Sequence, residues 1–108
     1  GPRMLRGMSR DGLKFTAGEI IELGGSVSDT VAVSGGWRTF FHVNANPQTN
    51  SKMVIRSAFT VDGKTWRIEE GNRLTAPASG AAQHGVADPA PVQLVDGSWL
   101  MAVKSFIK

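Results

Sequence analysis

The feature that most constrains the fold is an internal repeat. Ser9-Arg10-Asp11-Gly12-Leu13-Lys14-Phe15 aligns with Thr60-Val61-Asp62-Gly63-Lys64-Thr65-Trp66 at an offset of 51 residues, which also carries Glu19 onto Glu70 and Leu23 onto Leu74. A second pair follows: Asp29 through Gly36, with Trp37 and Phe40, resembles Asp88 through Gly97, with Trp99 and Met101, once extra residues are allowed in the later turn. Each unit is built on a turn. Asp-Gly between two strand-like runs supplies the positive φ that a tight hairpin turn demands, and it occurs at Asp11-Gly12, Asp62-Gly63 and Asp96-Gly97, with Gly35-Gly36 doing similar duty.

The segments between these turns read as strands. Val31 to Val33, Trp37 to Val43, Met53 to Phe59, Thr65 to Ile68, Pro91 to Val95 and Trp99 to Phe106 are short and apolar or alternating. Thirteen glycines and five prolines interrupt the chain, so no stretch of ten residues carries an apolar face at helical spacing. Thr75 to Gly85 and Asn44 to Ser51 read as the longest loops. The expectation is an all-β meander of hairpins.

A repeat of about 50 residues with four strands has the period of a β-propeller blade, whose faces stay unburied until neighbouring blades pack on them. The 108 residues supply about two such blades with a half-blade offset. One propeller fragment, 3–108, is expected, with 4–23 as an outer hairpin, 27–74 as a full central blade and 86–108 as an inner hairpin. Propellers have about four to eight blades, so oligomerisation is expected to complete a ring, with a homo-trimer of six blades favoured. Gly1-Pro2 reads as the remnant of a cleaved tag and is left out.

Composition removes several function classes. The chain has no cysteine, which excludes disulfides, thiolate metal sites and a cysteine nucleophile. The net charge of +3 comes from twelve Lys and Arg scattered along the chain rather than from a basic stripe with interleaved aromatics, which speaks against a nucleic-acid partner. No apolar run approaches the roughly 20 residues of a membrane helix, so no membrane partner is expected. The two histidines, His42 and His84, have no Cys or carboxylate at ligand spacing, and no metal or other cofactor is expected.

Thr60 to Trp66 resembles the Asp-box turn of sialidases, shortened by one residue between Asp and Gly, and Ser9 to Phe15 is a weaker copy. Together with Val86 to Trp99, these residues are similar to blades of sialidase-like and of arabinanase- and fructosidase-like five-bladed glycosidase propellers, over nearly the whole chain after residue 4. The resemblance implies a carbohydrate-related module that binds a glycan in a central channel. Blades of this type also serve as structural units, so a self-assembling fragment without activity is the alternative.

The resemblance makes the box aspartates Asp11 and Asp62 structural, accepting local backbone N–H bonds while Phe15 and Trp66 pack between sheets. It places Asp29 and Asp88 just before the innermost strands of their blades, where an Asp, often followed by Pro as in Asp88-Pro89, serves as general base. Glycoside cleavage needs two carboxyl groups roughly 5 to 9.5 Å apart, and Asp29 with Asp88 is the candidate catalytic pair; the alternative is that both cap strand starts. His84, Arg38, Arg56, Trp37 and Trp99 are candidate ligand-binding residues, the two tryptophans as stacking platforms or as core between blades. The carboxylates left for a general acid, Glu19, Glu22, Glu69 and Glu70, fall on outer hairpins, and the chain contains no tyrosine for a sialidase nucleophile. A complete catalytic set is therefore not present in this sequence.

Overall fold

The computed structural model describes residues 3–46, 52–81 and 83–106. Those residues form eight strands and no helix: β1 (Met4–Met8), β2 (Thr16–Ile21), β3 (Ser26–Val33), β4 (Gly36–Asn44), β5 (Met53–Thr60), β6 (Arg67–Ile68), β7 (Val86–Gln93) and β8 (Trp99–Ser105). All pairings are antiparallel, in three open sheets: the pair β1-β2, the four-stranded β3-β4-β5-β6 and the pair β7-β8. The all-β antiparallel expectation holds. Residues 47–51 of the expected loop from Asn44 to Ser51, residue 82 of the later loop, and Gly1-Pro2 lie outside the described residues.

The four-stranded sheet is the middle layer because its two central strands are apolar on both faces. One face presents Phe41 and Ala58, which cluster with Leu23 and take Met4, Ile21 and Trp66 against them. The opposite face presents Phe40 and Ile55, which pack with Val86 and take Val31, Leu74, Met101 and Val103. The β1-β2 hairpin thus supplies Met4 and Ile21 to one side, and β7-β8 covers the other. Phe41 and Ile55 are 1% and 0% exposed, so each removes its whole side chain from water, a burial that stabilises by about 1.5–3 kcal/mol.

The turns that open the two copies of the repeat are built alike. Asp62 Oδ1 accepts the N–H groups of Lys64 and Thr65 at 2.8 and 2.9 Å, and Thr60 Oγ1 accepts those of Asp62 and Gly63 at 3.3 and 2.9 Å. Asp11 Oδ1 accepts from Leu13 and Lys14 at 2.8 and 3.1 Å, with Ser9 Oγ taking the place of Thr60 Oγ1. Gly12 and Gly63 have φ of 76° and 75°, the left-handed region that only glycine enters freely. The strands that follow keep the offset, since Gly7 pairs with Ala17 and Met8 with Thr16 where Ala58 pairs with Ile68 and Phe59 with Arg67.

Strands β3 and β7 begin earlier than the sequence suggests. β3 starts at Ser26 rather than Val31, and β7 at Val86 rather than Pro91. Each continues through a β-bulge, between Ser26 and Asp29 in β3 and between Ala87 and Ala90 in β7. The bulge explains how β7 tolerates Pro89. An extra, unpaired residue does not owe the ladder an N–H, which is the donor proline lacks.

Candidate functional site

The bulges also revise the correspondence between the β3-β4 and β7-β8 hairpins. Ser26 pairs with His42 before the bulge and Asp29 with Phe40 after it; Ala87 pairs with Lys104 before the bulge and Ala90 with Ala102 after it. The structural counterpart of Asp29 is therefore Ala90, and Asp88 falls in the bulge, where β3 carries Val27. Val27 and Asp88 are the two non-glycine residues with positive φ among those described, at 49° and 53°. Asp29 and Asp88 are not equivalent residues, and both lie inside strands rather than before them. The carboxylate of Asp29 is exposed and has no hydrogen bond or ion pair among the described residues.

Asp88 is held at two points, its carboxylate by Lys104 and its backbone N–H by His42. Its Oδ2 lies 3.0 Å from Lys104 Nζ and its Oδ1 3.4 Å from His42 Nδ1, with the Asp88 side chain 37% exposed. The Asp88 backbone N–H donates to His42 Nδ1 at 3.2 Å, and His42 Nε2 lies 3.3 Å from Ser26 Oγ. His42 therefore ties the start of β3 to the bulge of β7 from its place on β4. Lys104 reaches the same carboxylate because it stands on β8, opposite Ala87.

Ser26, His42 and Asp88 have the order of a serine nucleophile relay, but the proton arrangement opposes that chemistry. A nitrogen that accepts the Asp88 N–H carries no proton, so neutral His42 holds its proton on Nε2 and donates it to Ser26 Oγ. A relay needs the reverse, with Nε2 free to take the serine proton. The cluster offers instead an anionic acceptor, an ammonium donor, an imidazole and a hydroxyl, a set suited to hydroxyl groups of a ligand. Ser26 and His42 also line a cleft of about 380 Å³ whose wall includes Glu22, itself ion-paired with Arg3 at 2.8 Å.

The other residues singled out in the sequence do not join this cluster. Arg38 makes a two-pronged ion pair with Glu69, at 2.7 and 2.9 Å, and Glu69 also accepts from Ser57 Oγ at 2.9 Å. That hydrogen bond to Arg38 is the main cause holding the Glu69 carboxyl below its usual range, and it raises the Arg38 guanidinium in turn. Arg38 is committed to bracing β4 against the end of β6. Arg56 donates to Asn72 Oδ1 at 2.9 Å. Trp37 and Trp99 are 44% and 43% exposed, and Trp99 leans on Phe40 with ring centroids 6.5 Å apart. Trp99 shares a second cleft, about 370 Å³, with Arg38, Arg73 and Phe40, apart from Asp88. His84 is half-buried in the turn before β7.

Sequence reading missed Lys104 and did not count His42 among the ligand-binding candidates. The usable signal was parity. His42 follows two apolar residues in a strand buried on both faces, so a polar ring there needs partners from a neighbouring sheet. Among the described residues no group of three or more His, Asp or Glu could hold a metal ion, and no helix is long and apolar enough to cross a membrane. Comparison with family models, with curated proteins and with solved structures returned no match.

Proposed function

We propose that the chain is a carbohydrate-binding unit of propeller-like blades, with Asp88 as the centre of the ligand site and His42, Lys104 and Ser26 as its supporting groups. The observation that carries this reading is the half-exposed Asp88 carboxylate, held 3.0 Å from the Lys104 ammonium while the Asp88 backbone N–H is anchored on His42 Nδ1. A carboxylate oriented in this way accepts hydrogen bonds from vicinal sugar hydroxyls without having to be ordered on binding, which lowers the entropic cost of association. This reading is one of binding rather than cleavage: hydrolysis of a glycosidic bond requires a second carboxyl group opposite the first, and the carboxylate in the wall of the cleft that Ser26 and His42 line, Glu22, is already ion-paired with Arg3. The resemblance to sialidase-like and arabinanase-like blades supplies the ligand class.

The test is a glycan array that includes arabino- and fructo-oligosaccharides and sialyllactose, read with the natural chain and with Asp88→Asn. Asparagine keeps the left-handed backbone at this position accessible while removing the charge. The expected result is selective binding that falls about tenfold or more in the variant, the loss of one charged hydrogen bond, with the variant still cooperatively folded at the assay temperature. The competing reading, an assembly unit with no ligand of its own, predicts no binding by either protein.

A further inference from the structure

The two hairpins at the ends of the chain are complementary halves of one sheet. In the central sheet, β3 and β4 are joined to β5 and β6 through the β4-β5 ladder, which runs from Trp37 opposite Thr60 to Asn44 opposite Met53. The β7-β8 hairpin repeats β3-β4, including its bulge, and the β1-β2 hairpin repeats β5-β6 at the offset of 51 residues. Among the described residues each stands as a two-stranded sheet. The outer edge of β8 and the outer edge of β1 are both unpaired among the described residues.

We propose that β8 of one copy pairs antiparallel with β1 of a second copy, in the register that the β4-β5 ladder dictates. Trp99 stands where Trp37 does and Met8 where Phe59 does, so Leu100 comes opposite Met8, Met101 opposite Gly7, Val103 opposite Leu5 and Lys104 opposite Met4. Three of these side chains are apolar residues now facing water: Leu100 is 56% exposed, Met8 55% and Leu5 60%. The pairing puts Leu100 on Met8 and Val103 on Leu5, cross-strand contacts between apolar side chains that stabilise a sheet.

The facing of the strands agrees with this register, which a slip of one residue would destroy. β8 turns Met101 and Val103 onto its own central sheet, and β1 turns Met4 onto the opposite face of its own. In the joined sheet, Val103 and Leu5 lie on the face toward the first copy, while Lys104 and Met4 lie on the face toward the second. The central sheet has the same arrangement, with Phe40 and Ile55 facing one neighbour and Phe41 and Ala58 the other. Phe15 shows what the isolated chain lacks: it is 65% exposed, while its repeat counterpart Trp66 packs on the Leu23, Phe41 and Ala58 cluster. A second copy, rather than an unrelated strand, fits because one edge carries the complement of the other in register, facing and apolar pattern.

Light scattering on the natural chain and a crosslinking pair test this directly. The chain has no cysteine, so introduced thiols react only with each other. Opposed residues of an antiparallel ladder have Cα atoms about 4.5–5.5 Å apart, within disulfide reach. The expected results are a solution mass of two to four chains of 11.5 kDa, with three favoured, and rapid oxidation of Leu100→Cys/Met8→Cys into interchain disulfides. Leu100→Cys/Leu5→Cys, three residues out of register and on the other face, stays uncrosslinked. A monomer, or crosslinking no greater than in that control, overturns the pairing. Neither measurement involves Asp88, so the assembly and the glycan site fail independently.

Discussion

The bulges of β3 and β7 share a backbone and differ in chemistry. Both interrupt an inner hairpin at the same place, and both force a non-glycine residue to positive φ, Val27 at 49° and Asp88 at 53°. Strained residues of this kind often mark functional sites, yet a β-branched valine is worse suited to that conformation than an aspartate. Since Val27 is 54% exposed and bears the strain without a charged partner, the bulge belongs to the architecture of the hairpin. What distinguishes β7 is the side chain placed on it, the Lys104 ammonium that receives it and the His42 ring that accepts its backbone N–H.

That difference can be broken at the residue that spans both bulges. His42 contacts Ser26 beside one and Asp88 within the other, so His42→Ala leaves the Asp88 N–H without its acceptor. The expected cost is about 1–3 kcal/mol in urea unfolding, the penalty for an unsatisfied, partly buried donor. An unchanged midpoint would mean that His42 does not hold the two bulges together.

Relieving the backbone sharpens the comparison. Val27→Gly is expected to stabilise the chain by about 1 kcal/mol, because glycine accepts positive φ and the valine side chain is mostly exposed. Asp88→Gly gains less relief, because aspartate tolerates this φ better than valine, and it also loses the ion pair to Lys104, so its net effect is smaller. Equal stabilisation by both would show that the carboxylate contributes nothing to the fold.

The smallest effect lies in the turns that both repeats share. The Asp62 carboxyl is lowered to about 2, chiefly by the backbone N–H groups of Thr65 and Lys64, and Asp11 is lowered by those of Leu13 and Lys14. A carboxyl whose folded value lies below its unfolded one stabilises the protein above the unfolded value, and that contribution disappears as pH falls through the folded one. The melting temperature is therefore expected to be flat above about pH 5 and to decline from about pH 4 toward pH 2, with a shallower decline in Asp62→Asn. An identical acid limb in that variant would contradict the role of the turn.

The turns and the antiparallel strands were legible in the sequence because they rest on local chemistry. Asp62 and Gly63 specify their loop within six residues, and the short apolar run from Met53 to Ile55, with Ala58 and Phe59, announces a buried strand. The bulges were not legible. One added residue shifts register without a compositional mark, so alignment matched Asp29 with Asp88 where the backbone matches Asp29 with Ala90. Arg38 was read as a ligand group because its partner Glu69 lies 31 positions away and becomes its neighbour only when β5 and β6 fold back. The cluster around Asp88 was half visible: the aspartate stood out beside Pro89, whereas His42 and Lys104 reach it from strands that only tertiary packing brings near.

The most direct test of the central claim is a two-dimensional amide NMR titration of the natural chain with arabino- and fructo-oligosaccharides and sialyllactose. The account predicts saturable shifts at Asp88, Ala87, His42 and Lys104 that exceed any at Val27, although its backbone is the same. Shifts confined to the second cleft around Trp99 and Arg73, or no shift with any of these sugars, would contradict it.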